Sequence, residues 1–447
     1  MGATRETDMI RIFRGGLALV LAFAGLAGTA ISTGTAWAQD WSEDLAMFRT
    51  EFFEVDNSYS AEERARAEAL LAELEANADG MSEPAFVLAL AEIVAVADNG
   101  HTVLRNTYWQ SRYPRLAVRF MIADDGLFIA DGQGDYEALA GQRVTAVEGL
   151  GLSELRDHFA PYHPGLEGHR DEYIYAFLES PDILNAAGIA ERSDTISVTL
   201  LNGETVRVGN SDAWPPLAGI WQIIPQARAI TFYKAGLVDG DPLYLQEPDE
   251  LLRYVPMPER DAVYIQFRAN IDFSGQMDMR QAATDALTRL QEDAPAYVIL
   301  DQRFNTGGDL NTTRDLMQAI PEIVGESGHV FAITSARTFS AGISSVGYLK
   351  QAGGDRVTII GAPVGDPLEF WAEGDVIFLP QSGANIGIST ERHNYMTGCP
   401  EDDCHGSIQR HPIAVDSLAP DYRPVFTYDD FIAGRDPYLE AALSLMP

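Results

Sequence analysis

Lysine is almost absent from this chain. Of 31 basic residues only Lys234 and Lys350 are lysines, and the formal net charge is -35. So acidic a surface argues against binding to phosphate backbones or anionic lipid, both of which require clustered positive charge. Cysteine is equally scarce, with two residues in 447, which excludes a disulfide-dense scaffold. After residue 30 no apolar run is long enough to span a bilayer. Internal repeats and low-complexity tracts are also missing. What remains is a chain that is 46% hydrophobic and longer than one core usually organises, so two or three domains are expected.

The N-terminus carries Arg5, Arg11 and Arg14, an apolar run from Gly15 to Ala30, and a small-x-small site at Ala36-Trp37-Ala38. This pattern predicts a signal peptide over 1–38, cleaved after Ala38, and an exported protein, periplasmic or secreted. A retained anchor is the alternative, and the run is short for it. No cysteine follows the run, so a lipid anchor is not expected. Cys399 and Cys404 have four residues between them, Pro400 to Asp403, which read as a turn. In an oxidising compartment that spacing predicts one local disulfide. A metal site with His393, His405 and His411 is the rival reading. The spacing lacks the tight C-x-x-C pattern, and no metal or other cofactor is expected.

Along the chain, residues 39–102 read as a helical region. Ser60 with Glu63 has the form of a capping box, and Ser82-Glu83-Pro84 opens a second helix bearing Phe86, Leu88, Leu90 and Ile93. Residues 103–210 read as a β-rich domain, with alternating segments at 116–120, 127–130 and 142–149 and a hairpin turning at Asn202-Gly203. Residues 211–255 read as connection. From 256 to 447 strands and helices alternate: strands at 263–267, 297–301, 330–334 and 357–360, helices at 277–290, 312–323 and 342–351. That order predicts an α/β domain with a partly parallel sheet, and an α/β multidomain protein overall.

Chemistry in such folds gathers at the carboxyl ends of strands, and two of these ends stand out. Asp301-Gln302-Arg303-Phe304-Asn305-Thr306-Gly307-Gly308 ends in paired glycines, which let the backbone approach a ligand and offer N–H groups to it. Taken alone, it reads as an ordinary turn. Thr338-Phe339-Ser340-Ala341-Gly342 precedes a helix, where unpaired first-turn N–H groups and the helix dipole favour a developing anion. Serine is also a common helix N-cap, so this segment too is ambiguous by itself.

Together these segments resemble the C-terminal processing and tricorn-core serine peptidase family. The resemblance rests on Asp301, Arg303, Asn305, Gly307 and Gly308; on Thr338-Phe339-Ser340-Ala341; on Ile359-Ile360-Gly361; on Asn99-Gly100-His101-Thr102; and on Ala419-Pro420-Asp421. It runs from about 41 to 447 but is sharp only at these places. It implies a spiral β-α catalytic domain like the protease and crotonase group. It also implies a small PDZ-like β domain, with 139–149 its clearest remnant. Ser340 would be the nucleophile, and the N–H groups of Ala341 and of Gly307 or Gly308 the oxyanion hole.

Some members of that family use a lysine about 25 residues after the serine. Here Gly365-Asp366 stands in that place, Lys350 lies at the far end of the nucleophile helix, and Lys234 lies in the connection. The tricorn-like branch uses a histidine instead, which points to His101 as general base. The serine that precedes the histidine in the tricorn core is Gly100 here, so another group must orient the imidazole. Glu391 and Asp416 are the candidates. The resulting expectation is an exported serine peptidase acting on peptide or unfolded protein, with no nucleic-acid partner. Two alternatives stay open: a non-proteolytic binding protein for a small apolar ligand or peptide, as the related retinoid-binding modules suggest, and a serine esterase.

Overall fold

The computed structural model describes residues 40–105, 112–211, 242–247, 250–272 and 278–447. The expected signal peptide, Lys234, most of the expected connection and the expected helix start at Met277 lie outside these residues.

The N-terminal region is helical, over Ser42–Met47, Phe48–Phe53, Ala61–Asn77 and Glu83–Ala95. Ser60 and Glu63 form the capping box reciprocally: Glu63 N–H donates to Ser60 Oγ at 3.3 Å, and Ser60 N–H to Glu63 Oε2 at 2.7 Å. Trp41 stacks on Phe86 with ring centroids 4.4 Å apart, closing this layer.

A six-stranded antiparallel sheet follows, in the order β1-β6-β5-β4-β3-β2. Its strands are β1 (Arg115–Leu116), β2 (Val118–Ala123), β3 (Gly126–Gly132), β4 (Arg143–Val147), β5 (Thr195–Leu200) and β6 (Thr205–Ser211). Between β4 and β5 lie helices Leu152–Phe159, Glu167–Leu178 and Pro181–Ala186, which the sequence reading did not anticipate.

The second sheet has the order β11-β10-β9-β8-β7. Strands β8 (Ala262–Phe267), β9 (Tyr297–Asp301), β10 (His329–Thr334) and β11 (Val357–Gly361) are parallel, and β7 (Leu252–Met257) pairs antiparallel at the edge. β8 is buried at every position, as expected of a parallel strand covered on both faces. Helices Met279–Asp293, Arg314–Ile323 and Ala341–Gly353 provide the crossovers. β7 corrects the expectation of a connection running to residue 255: its Pro256 and edge position disguise it as loop.

A long hairpin, β12 (Glu369–Phe378) and β13 (Asn385–Asn394), joins the two halves. Phe370 and Ala372 at its base belong to the core under the parallel sheet. Ile377, Ile386 and Ile388 nearer its tip belong to the core shared by the N-terminal helices and the antiparallel sheet. No described helix is long and apolar enough to cross a membrane.

Candidate active site

Ser340 follows β10 through a short turn and stands at the N-cap of helix Ala341–Gly353. Its backbone sits at φ 52° and ψ -125°, a conformation rarely adopted by a residue with a Cβ. Holding it there costs roughly 1–3 kcal/mol, which the surroundings must over-determine. They do so with a dense set of bonds. Thr338 Oγ1 donates to Gln302 O at 2.9 Å, Phe339 N–H to Asn305 O at 3.0 Å, and Ser335 Oγ to Arg303 O at 2.6 Å. The ordinary capping role is not what the serine performs: its hydroxyl makes no cap bond, and the half-buried side chain is left free.

The second strand end is packed directly against this turn. A Cβ on Gly307 would fall 2.6 Å from Ser340 Cβ, so only glycine fits. Asn305 is buried and holds the segment, donating from Nδ2 to Asn270 Oδ1 at 3.0 Å and to Gln302 Oε1 at 2.6 Å. Its Oδ1 accepts the Gly307 N–H at 3.1 Å. Gly307 is therefore committed, whereas among the described residues the Gly308 and Ala341 N–H groups meet no acceptor. Arg303 is architectural. It is buried between Asp301 and Asp436, with Nη1 and Nη2 reaching the Asp436 carboxylate at 3.0 and 2.8 Å.

His101 arrives from the other end of the chain. Its segment continues onto β13, with Gly387 N–H donating to Val103 O and Arg105 N–H to Asn385 O, each at 2.9 Å. Asn99 fixes the turn before it, accepting Trp371 N–H at 2.9 Å and donating to Trp371 O at 3.0 Å. The imidazole lies between Phe339 and Phe370, with centroids 4.4 and 5.0 Å away. Its Nδ1–H donates to Asp366 Oδ2 at 3.1 Å, and Asp366 is only 1% exposed. That bond fixes the tautomer and leaves Nε2 as the lone-pair nitrogen, buried and without a protein partner. No hydrogen bond joins it to the Ser340 hydroxyl; Phe339, next to Ser340 in sequence, is the contact between them.

The carboxylate bonded to the His101 imidazole is Asp366, and neither of the two candidates from sequence reaches that ring. Glu391 accepts His405 Nδ1–H at 2.6 Å, on the other side of Phe370. Asp416 is exposed and makes no bond to His101. Asp366 is the second residue of the Gly365-Asp366 pair noted in the sequence. Gly100 also has a physical reason: a Cβ there would meet Phe339 at 2.9 Å and Asp366 Oδ1 at 3.0 Å. Lys350 is held by Val357 O at 2.8 Å, away from Ser340.

Behind Phe339 lies a third ring, His169, stacked at 4.5 Å. Burial pushes it down to about 4, despite the attraction of Asp366. Burial likewise holds His163 beside it well below the ordinary histidine range. Cys399 and Cys404 are joined in a disulfide.

No protein-family profile and no curated protein matches the chain. Solved structures do. The fold is similar to that of CPAF. A mature CPAF complexed with lactacystin aligns at a TM-score of 0.54 and 14% identity over 90% of this chain and 98% of that one. A CPAF serine-to-alanine mutant aligns at 0.56 and 12% identity over 91% and 97%. The photosystem II D1 C-terminal processing protease also matches, with a TM-score of 0.37 and 12% identity over 91% and 95%. At such identity the CPAF likeness establishes a shared mixed α/β fold.

Proposed function

We propose that this chain is an exported serine peptidase that cleaves peptide bonds in peptides or unfolded proteins. The observation that carries the reading is the strained Ser340, free of any capping duty, close to a histidine held by a buried aspartate. Ser340 Oγ attacks the substrate carbonyl carbon and its proton passes to His101 Nε2. Asp366 stabilises the imidazolium that forms and keeps its orientation. The N–H groups of Ala341 and Gly308 stabilise the oxyanion, and Gly307 serves by its close approach rather than as a donor. His101 then returns the proton to the leaving amine, and water releases the acyl group by the same route. The division of the fold supports a finer reading, in which the parallel-sheet half is the spiral catalytic domain and the antiparallel sheet the PDZ-like one.

Labelling of the mature protein by a fluorophosphonate tests this without knowledge of the substrate. Wild type labels, while Ser340→Ala and His101→Ala do not. A folded wild type that fails to label overturns the proposal.

A further inference from the structure

Beyond Phe370 lies a group that the proposed chemistry does not use. Donor atoms of Glu373 on β12, His393 on β13 and His405 just after the disulfide lie within 4.8 Å of one another. His393 is 2% exposed, and its Nε2 has no hydrogen-bond partner. The Glu373 carboxylate approaches that nitrogen to 3.2 Å. Both histidines have their other nitrogen occupied: His393 Nδ1 meets the Tyr395 hydroxyl at 3.0 Å and His405 Nδ1 meets Glu391 Oε2 at 2.6 Å. An oxygen partner on Nδ1, with Nε2 left open, is how proteins orient imidazoles that ligate metals.

We infer that Glu373, His393 and His405 form a binding site for one divalent ion of the zinc class. Two imidazoles and a carboxylate are a donor set suited to zinc, with one position left for water. Bonds near 2 Å require donors roughly 3.3 Å apart. Glu373 and His393 already meet that spacing. Glu373 and His405 have side chains 39% and 23% exposed, so both have freedom to close on an ion. The cysteines cannot compete, since their sulfurs are bonded to each other. The ion would tie together β12, β13 and the disulfide loop. It would also brace two contacts to the proposed catalytic residues. Phe370 stacks on both His101 and His393, and Tyr395 bonds Ser344, on the helix that begins after Ser340.

The test uses the disulfide-intact mature chain, stripped with a chelator and titrated with Zn²⁺ against a chromophoric competitor. One equivalent binds, and Co²⁺ in its place gives the strong visible absorption of a four- or five-coordinate site. Glu373→Gln and His405→Gln, both at partly exposed positions, each weaken binding at least tenfold. Near-ultraviolet circular dichroism confirms that both variants are folded. Absence of stoichiometric Zn²⁺ binding to wild type overturns the inference, as does binding that neither substitution weakens. None of these readings depends on hydrolytic activity.

Discussion

Replacing Asp366 by asparagine removes one charge from the proposed centre and nearly nothing else. The side chains have the same shape, and position 366 is buried, so solvent cannot take over the role. At the 3.1 Å separation from His101, and with an effective dielectric of about 20, an imidazolium–carboxylate attraction is worth about 5 kcal/mol. At about 1.4 kcal/mol per decade, that predicts a loss of three to four decades in the rate of serine attack. The amide adds a second effect. Its NH₂ donates to Nδ1, which moves the imidazole proton to Nε2, where it blocks proton uptake from Ser340. The assay is the second-order rate constant for fluorophosphonate labelling, with melting temperature measured in parallel. A rate within about threefold of wild type would refute the assignment. So would an equal loss in Glu391→Gln, whose carboxylate belongs to His405.

Further outcomes follow from the same geometry. Ser340→Gly removes the Cβ from a backbone at φ 52°, so it abolishes labelling while raising stability by about 1–2 kcal/mol in urea unfolding; a destabilised glycine variant would show that the turn is unstrained. Gly307→Ala forces a Cβ to within 2.6 Å of Ser340 Cβ and abolishes labelling, whereas full activity would mean that the two strand ends do not meet. Arg303→Met leaves Asp301 and Asp436 buried without their cation and lowers stability by about 3–5 kcal/mol, measured by chemical denaturation. His169 is held at about 4 when folded against about 6.5 when unfolded, so the unfolded chain binds the extra proton between those values. Stability therefore falls as pH drops from about 6.5 towards 4, by up to about 3 kcal/mol from this residue, and His169→Phe removes that share of the slope while the part due to buried His163 remains.

The parts legible in the sequence were those whose signals are local. The Ser60–Glu63 capping box, the Asn202-Gly203 hairpin and the strands of the parallel sheet are each announced within a few residues. The turn at Ser340 and the paired glycines were visible as strand ends, though each was ambiguous until set beside the other. Asp366 was not legible as the partner of His101, because the pair is 265 residues apart and the sequence pattern directed attention to a missing lysine. The β12–β13 hairpin carries a bulge at Glu373-Gly374-Asp375, which breaks the alternation that marks a strand in sequence. The helices between β4 and β5 lie inside a stretch flanked on both sides by strand and turn signals, which hid them.

The docking of the His101 segment onto β13 has a consequence for when the proposed chemistry can begin. The proposed base lies ahead of the first described strand, and the strand its segment pairs with is the last described one. A partly made or unfolded polypeptide thus holds a serine with nothing to take its proton. Competence would arrive in one step, with the final closure of the tertiary structure, so the molecule could not attack its surroundings, or itself, while still being made.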